Sequence, residues 1–166
     1  MDTMVDLQLR APANLASRRA RVYWTVRAVP GWLVVGGLEA LILLGSGATS
    51  AVVIPIVGVT AAVALVHLIV MPQWRYRVHR WEITDTAVYT QAGWFTQERR
   101  IAPLARIQTV DTQRGPFEQV FGLANVTVTT ASAKGPLKVH ALDVAIADRL
   151  VDRLTERAQL AGGDAT

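Results

Sequence analysis

Apolar residues are concentrated in two long stretches near the start of the chain, 28–44 and 51–71. The second stretch has no Asp, Glu, Lys or Arg, and at about 1.5 Å of rise per residue a helix of this length spans the ~30 Å hydrocarbon core of a bilayer. The first stretch is shorter and carries one acid, Glu39. Because only the small polar segment 45–50 separates them, the two stretches are predicted to form an antiparallel transmembrane hairpin that occupies residues 28–72.

Basic residues lie at both outer ends of the hairpin and are absent from the segment between the two stretches. Those before the first stretch are Arg10, Arg18, Arg19, Arg21 and Arg27, and those just after the second are Arg75, Arg77 and Arg80. Positive residues beside transmembrane helices favour the cytoplasmic side. Residues 1–27 are therefore predicted to be a basic cytoplasmic segment, and both chain termini are predicted to lie on the cytoplasmic side of a multi-pass membrane protein.

Residues 73–160 show the patterns of a small α+β domain. Short runs rich in β-forming residues and bounded by turn residues predict strands at 75–84, 87–91, 94–101, 105–112, 125–130 and 137–140. An amphipathic helix is predicted from Asp143 to about Leu160, followed by a disordered tail at 161–166. Strands followed by one such helix indicate a small bent antiparallel sheet or partial barrel capped by the C-terminal helix.

A single helical turn is predicted at 116–121, between two of these strands. Phe117, Val120 and Phe121 share one face of this turn, at positions i, i+3 and i+4. We expect this face to belong to the core of the domain, and an exposed contact patch is the alternative.

Composition and motifs argue against several classes of function. The full chain of 166 residues has no cysteine, so it has neither a disulfide nor a thiolate metal site. His67, His79 and His140 lack the spacing of a metal site, and neither a Gly-x-Ser-x-Gly turn nor a phosphate-binding loop occurs. We therefore predict no enzyme activity, no cofactor and no metal. The net charge of +4 arises mainly from the arginines beside the hairpin, so no nucleic-acid partner is predicted.

Two sets of charged residues are candidate sites. The candidate contacts for anionic lipids or a partner protein are Arg75, Arg77, Arg80, Arg99 and Arg100. Glu39 is the candidate intramembrane polar site, because a carboxyl group is costly in hydrocarbon. It either meets a partner in another chain or is tolerated by snorkelling toward water. A direct pair with His67 is not expected, since their depths along antiparallel helices differ by about 10 Å.

The segment IAPLARIQTVDTQRGPFEQVFGLANVTVTTA, at 101–131, resembles a pattern of the bacterial pleckstrin-homology (PH)-like membrane proteins of the YdbS-like group. That pattern joins an Ile-Pro-Leu-like entry, an Arg-Ile-Gln strand, a Gly-Pro with a short helix, and Phe-Gly-Leu-Ala before a Val-rich strand. The likeness extends to Trp81-Glu82-Ile83-Thr84 and to Gly93. It implies a PH-like domain on the cytoplasmic face of the bacterial inner membrane, with no assigned reaction.

Two functions fit a hairpin anchor without catalytic motifs. The first is a noncatalytic membrane-anchored module that docks another membrane protein or copies of itself, and the resemblance adds a part in envelope stress tolerance. The alternative is a domain that binds or senses anionic membrane lipids. The first hairpin loop, at 84–87, carries Asp85 and no Lys or Arg, so headgroup-specific recognition is not expected at that loop.

Overall fold

The computed structural model describes residues 10–94, 96–132 and 134–163. The chain divides into two compact units. Residues 21–74 form a helical unit, and the residues up to Ala20 together with those from Arg75 onward form a domain. The domain is therefore built from two separate parts of the chain.

The helical unit contains the two helices that the apolar stretches predict. Helix α1 is Ala20–Ser46 and helix α2 is Ser50–Val78, with the last turn of α2 belonging to the domain. Both are long and apolar enough to cross a membrane, and none of the residues in the most apolar 18-residue stretch of either helix is buried. A core helix of a soluble protein would bury that stretch, so the exposed apolar surface agrees with a lipid environment.

Side-chain hydrogen bonds within this unit show that α1 and α2 run antiparallel. Near one end, Arg21 Nη1 donates to Gln73 Oε1 at 3.2 Å. Further along, Trp32 Nε1 donates to His67 Nδ1 at 3.0 Å. The tight connection at the other end uses Gly47, whose φ of 63° lies in the left-handed region that glycine adopts without a Cβ penalty. The predicted hairpin is confirmed as a pair of adjacent antiparallel helices.

In the described part of the chain, the domain contains two antiparallel sheets, two α-helices, a short 3-10 helix (Leu104–Arg106) and the last turn of α2. The first sheet contains β1 (Asn14–Leu15), β2 (Arg80–Ile83), β3 (Ala87–Gly93) and β4 (Gln97–Pro103), in that order. The second contains β5 (Ile107–Gln113), β6 (Leu123–Thr130) and β7 (Leu137–Asp143). Helix α3 (Pro116–Val120) connects β5 to β6, and helix α4 (Val144–Gly163) follows β7. This arrangement confirms the predicted PH-like α+β fold with its C-terminal helix, and its strands form two separate sheets that do not close into a barrel.

The core of the domain lies between the sheets and the C-terminal helix. Helix α4 contributes Ala147, Leu150 and Leu154, which recur every three to four residues and are at most 2% exposed. The sheets contribute Val88, Ala102, Ala124, Val126, Val128, Leu137, Val139 and Leu142. The alternation of Val126 and Val128 with threonines places both valines on the buried face of β6.

The N-terminal strap, residues 10–20, is part of the domain, although the sequence analysis placed it in a separate segment, 1–27. Strand β1 pairs Asn14 with Trp81 and Leu15 with Arg80. Ala16 N then donates to His79 O at 3.1 Å, and Ser17 N donates to Ala141 O at 2.9 Å.

The strap therefore joins the free edge of β2 to the edge of β7. A strand of two residues leaves no periodic pattern, which is why the sequence did not predict it. Residues 1–9 lie outside the described part of the chain.

Other predicted boundaries also differ from the structure. The strand predicted at 75–84 begins only at Arg80, because α2 continues through Val78. Helix α4 ends at Gly163, so 161–163 are helical and not a disordered tail, and 164–166 lie outside the described residues. On α3, Phe117 is 51% and Val120 is 81% exposed, whereas Glu118 is only 9% exposed. The prediction that Phe117 and Val120 belong to the core was wrong.

Candidate functional site

An open groove of about 240 Å³ lies between the first sheet and helix α4. Its lining consists of Asn14, Trp81 and Ile83 from the first sheet, and Ile146, Arg149, Leu150 and Arg153 from the helix. These residues come from three distant parts of the chain. They are brought together because the strap covers the edge of β2 while α4 packs across the core.

The floor of the groove is apolar. Trp81 and Ile83 are partly buried and pack against the core, and Leu150 is 2% exposed. Trp81 Nε1 donates to Leu15 O at 3.3 Å, which ties the indole to strand β1. The groove therefore presents a tryptophan whose ring orientation is fixed by the strap.

The helix side of the groove carries two guanidinium groups. Arg149 and Arg153 are exposed and lie three residues after Ile146 and Leu150, respectively, so all four share one face of α4. The acids Asp148 and Asp152 are not among the lining residues. The spacing of Arg153 from Ile146 and Leu150 puts it at the border of the apolar stripe of α4.

Arg157, one turn beyond Arg153 on α4, is bound to the first sheet. Its Nη1 forms an ion pair with Asp85 and donates to Thr84 O at 3.3 Å. Both partners lie in the turn between β2 and β3. This contact fixes α4 against the end of β2 and leaves Arg149 and Arg153 as the cations of the groove.

The five arginines predicted as contacts do not form one cluster. Arg75 and Arg77 lie in the last turn of α2, whereas Arg80 and Arg99 lie on opposite sides of Gln91 in the strand register. Arg80 Nε donates to Arg77 O at 3.2 Å, and Arg99 Nε donates to Gln91 Oε1 at 3.1 Å. Their contact role stays a prediction.

Arg100 has a structural task. Its Nη1 donates to Pro136 O at 2.6 Å, and its Nη2 donates to Lys134 O and Gly135 O at 2.9 and 2.6 Å. The guanidinium thus holds the loop between β6 and β7 against β4. Any role of Arg100 as an external contact would compete with these three hydrogen bonds.

Two histidines of the domain are buried together. The rings of His79 and His140 have centroids 6.3 Å apart, and His79 Nδ1 lies 2.8 Å from Arg75 O. The pKa of His79 is lowered to about 4, mainly by burial, with the charges of Arg75 and His140 acting in the same direction and the hydrogen bond to Arg75 O opposing the shift. Burial also lowers the pKa of His140, with Arg75 and Lys138 acting in the same direction. Both rings are therefore neutral near pH 7.

No group of three or more His, Asp or Glu residues that could hold a metal ion occurs within the described ranges. The buried Glu118 belongs to a structural network, since its Oε1 accepts from Asn125 Nδ2 at 3.3 Å. Asn125 Oδ1 in turn accepts from the backbone N–H of Ala141 at 2.9 Å. This network supports Ala141, whose φ of 54° is unfavourable for a residue with a Cβ.

Glu39 lies in the second half of α1. Its Oε1 is buried and has no hydrogen-bond partner among the residues that the structure describes. His67, the other titratable group in the apolar part of the helical unit, accepts the hydrogen bond from Trp32. Glu39 therefore remains the candidate intramembrane polar site.

Comparison with known proteins identifies the family of this chain. The sequence profile described as Bacterial PH domain matches residues 34–158. The UPF0699 transmembrane protein YdbS of Bacillus subtilis (strain 168) is 34% identical over 101 residues, which cover 61% of this chain. The match spans 62% of the length of that curated relative. No solved structure is significantly similar to the chain. The profile match confirms the YdbS-like resemblance, and the chain belongs to the bacterial PH domain family.

Proposed function

We propose that this membrane protein is a noncatalytic anchored module whose PH-like domain docks a partner membrane protein, or a second copy of itself, at the cytoplasmic face. The observation that carries the proposal is the groove between β2 and α4. It combines an apolar floor, a tryptophan hydrogen-bonded to the strap and two exposed arginines. Trp and Arg are the residue types most enriched among the energetically dominant contacts of protein interfaces.

The charges around the hairpin support the proposed cytoplasmic placement of the domain. The hydrogen bond between Arg21 and Gln73 brings the start of α1 and the end of the apolar part of α2 to the same end of the helical unit. Arg18 and Arg19 directly precede this end in sequence, and Arg75 and Arg77 directly follow it. The positive-inside rule supports a multi-pass topology with both termini in the cytoplasm. The proposal includes a role of the protein in tolerance of envelope stress.

Photo-crosslinking in intact cells tests the docking function. A photoreactive benzoyl-phenylalanine at Ile146 samples the groove, and the same residue at Thr112 samples the exposed strand β5 as a matched control. We expect a discrete adduct in the membrane fraction from position 146 and none from position 112. Absence of an adduct at 146, or the same adducts from both positions, would contradict docking at the groove.

Anionic-lipid binding is the second candidate function. The observation that favours it is the pair Arg75 and Arg77 in the last turn of α2, because basic residues near a membrane surface attract anionic headgroups. If it holds, the chain purified in detergent retains less anionic phospholipid when both residues are replaced by glutamine. Replacement of Arg106, an exposed arginine of the β4–β5 connection, serves as the control. Equal lipid retention by all three proteins would exclude this function.

A further inference from the structure

We infer that the groove between β2 and α4 binds a short acidic and apolar peptide segment of the partner protein, with an apolar side chain over Trp81 and its carboxylates on Arg149 and Arg153. The inference rests on the proposed docking function and adds the chemistry of the partner. A lipid headgroup is the competing occupant that the test separates.

The size of the groove matches a short segment. Its volume of about 240 Å³ is below the roughly 300–1,000 Å³ of typical small-molecule sites. The apolar surface is concentrated at Trp81, Ile83, Ile146 and Leu150. The groove therefore accommodates one or two apolar side chains of a longer ligand.

The charge of the groove selects the rest of the ligand. Arg149 and Arg153 stand on the same face of α4, and among the residues that the structure describes no acid lines the groove. Neither arginine forms an ion pair with another residue in the described part of the chain, whereas Arg157 is paired with Asp85. A planar guanidinium beside an apolar surface can bind a carboxylate through two parallel hydrogen bonds. A lysine-rich or neutral segment has no carboxylate to accept them.

The geometry also restricts how the segment enters. Strand β1 pairs with Arg80 and Trp81, and Ala13 N donates to Glu82 Oε2 at 2.9 Å. The strap therefore already occupies the edge of β2, so the ligand gains little from main-chain pairing with the sheet. Affinity then depends on the side chains, and charge reversal on α4 is expected to have a large effect.

Binding of synthetic peptides to the full chain tests this inference. The protein is placed in nanodiscs of zwitterionic phosphatidylcholine, with empty nanodiscs as the blank. The probes are a fluorescein-labelled peptide of alternating Leu and Asp and a matched peptide of alternating Leu and Lys. We expect the acidic probe to bind at least about 10-fold more tightly, because like charges suppress the basic probe and opposite charges favour the acidic one.

Charge reversal locates the binding site. The double variant Arg149→Glu and Arg153→Glu is expected to weaken binding of the acidic probe at least about 10-fold, whereas Arg106→Glu changes it less than about 2-fold. If circular dichroism shows that the double variant has lost its fold, Arg149→Gln with Arg153→Gln carries the same test, with an expected loss of about 3-fold. Added salt should weaken the binding of the acidic probe but should not weaken the binding of the basic probe.

Three results would overturn the inference. These are equal binding of the acidic and basic probes, no binding of the acidic probe, and binding that the α4 variants leave unchanged. If phosphatidylglycerol in the nanodisc competes with both peptides, and the protein shows no preference between them, Arg149 and Arg153 bind lipid headgroups and not an acidic peptide. If position 146 still crosslinks to a partner in cells, any of these results rejects the acidic segment as the ligand but does not contradict the proposed docking function.

Discussion

At the scale of single residues, the domain is held together by buried polar groups with specific partners. Ser17 is 6% exposed, and its hydroxyl donates to Asp143 Oδ1 at 2.8 Å. Ser17 Oγ also accepts from the backbone N–H of Arg19 at 3.2 Å. His79 and His140 are buried as neutral rings close to the charge of Arg75. These residues make stability sensitive to pH and to small side-chain changes.

The depressed pKa of His79 predicts acid destabilisation of the domain. Its folded pKa is about 4 against an ordinary value of 6.5, so the unfolded chain takes up the proton first as pH falls. The contribution of neutral His79 is complete above about pH 6.5 and decreases by about 1.4 kcal/mol per pH unit toward pH 4. Thermal unfolding of the full chain in detergent, followed by tryptophan fluorescence from pH 7.5 to 5, measures this loss of stability.

The variant His79→Asn serves as the comparison for this pH profile. Its amide N–H can take the place of the ring N–H that faces the Arg75 carbonyl, but it does not titrate. The variant should therefore show a flatter profile over the same range. An unchanged slope would show that other groups cause the acid sensitivity.

At the scale of elements, the strap determines whether the two sheets stay together at one corner. It connects β2 to β7 through β1 and the backbone hydrogen bonds of Ala16 and Ser17. It also fixes Trp81 through Leu15. The strap therefore shapes the groove together with the strands that follow the membrane helices.

Removing the hydroxyl of Ser17 tests the role of the strap. Ser17→Ala leaves Asp143 Oδ1 without this donor and is expected to destabilise the domain by about 1–2 kcal/mol. Ser132→Ala is the matched control, because Ser132 is exposed and its hydroxyl only accepts a 3.4 Å hydrogen bond. Equal unfolding midpoints for both variants would show that the strap contributes little to stability.

Much of the fold was predictable because long patterns encode it. The uncharged stretches predicted α1 and α2, the alternation at 125–130 predicted β6, and the apolar stripe predicted α4. The beginning of the domain was not predictable, because Arg-Tyr-Arg-Val at 75–78 has strand-like composition but continues α2. The groove was missed for a different reason: Asn14, Trp81 and Ile146 meet only after the strap docks.

At the scale of the whole molecule, two membrane-length helices carry a PH-like domain of the bacterial family. The domain uses chain from both sides of the hairpin, 10–20 and 75–163. If both ends of the hairpin are on the cytoplasmic side, the domain can assemble there without any part crossing the membrane again. The two-part domain therefore favours both ends of the hairpin lying on one side of the membrane, whereas the choice of the cytoplasmic side rests on the charge distribution.

The absence of cysteine allows this topology to be tested directly with single introduced thiols. Ala48→Cys places one in the connection between the helices, and Ser132→Cys places one at an exposed position of the domain. A membrane-impermeant maleimide should label Ala48→Cys in intact spheroplasts, and should label Ser132→Cys only after lysis. Labelling of Ser132→Cys before lysis would contradict a cytoplasmic domain anchored by a transmembrane hairpin.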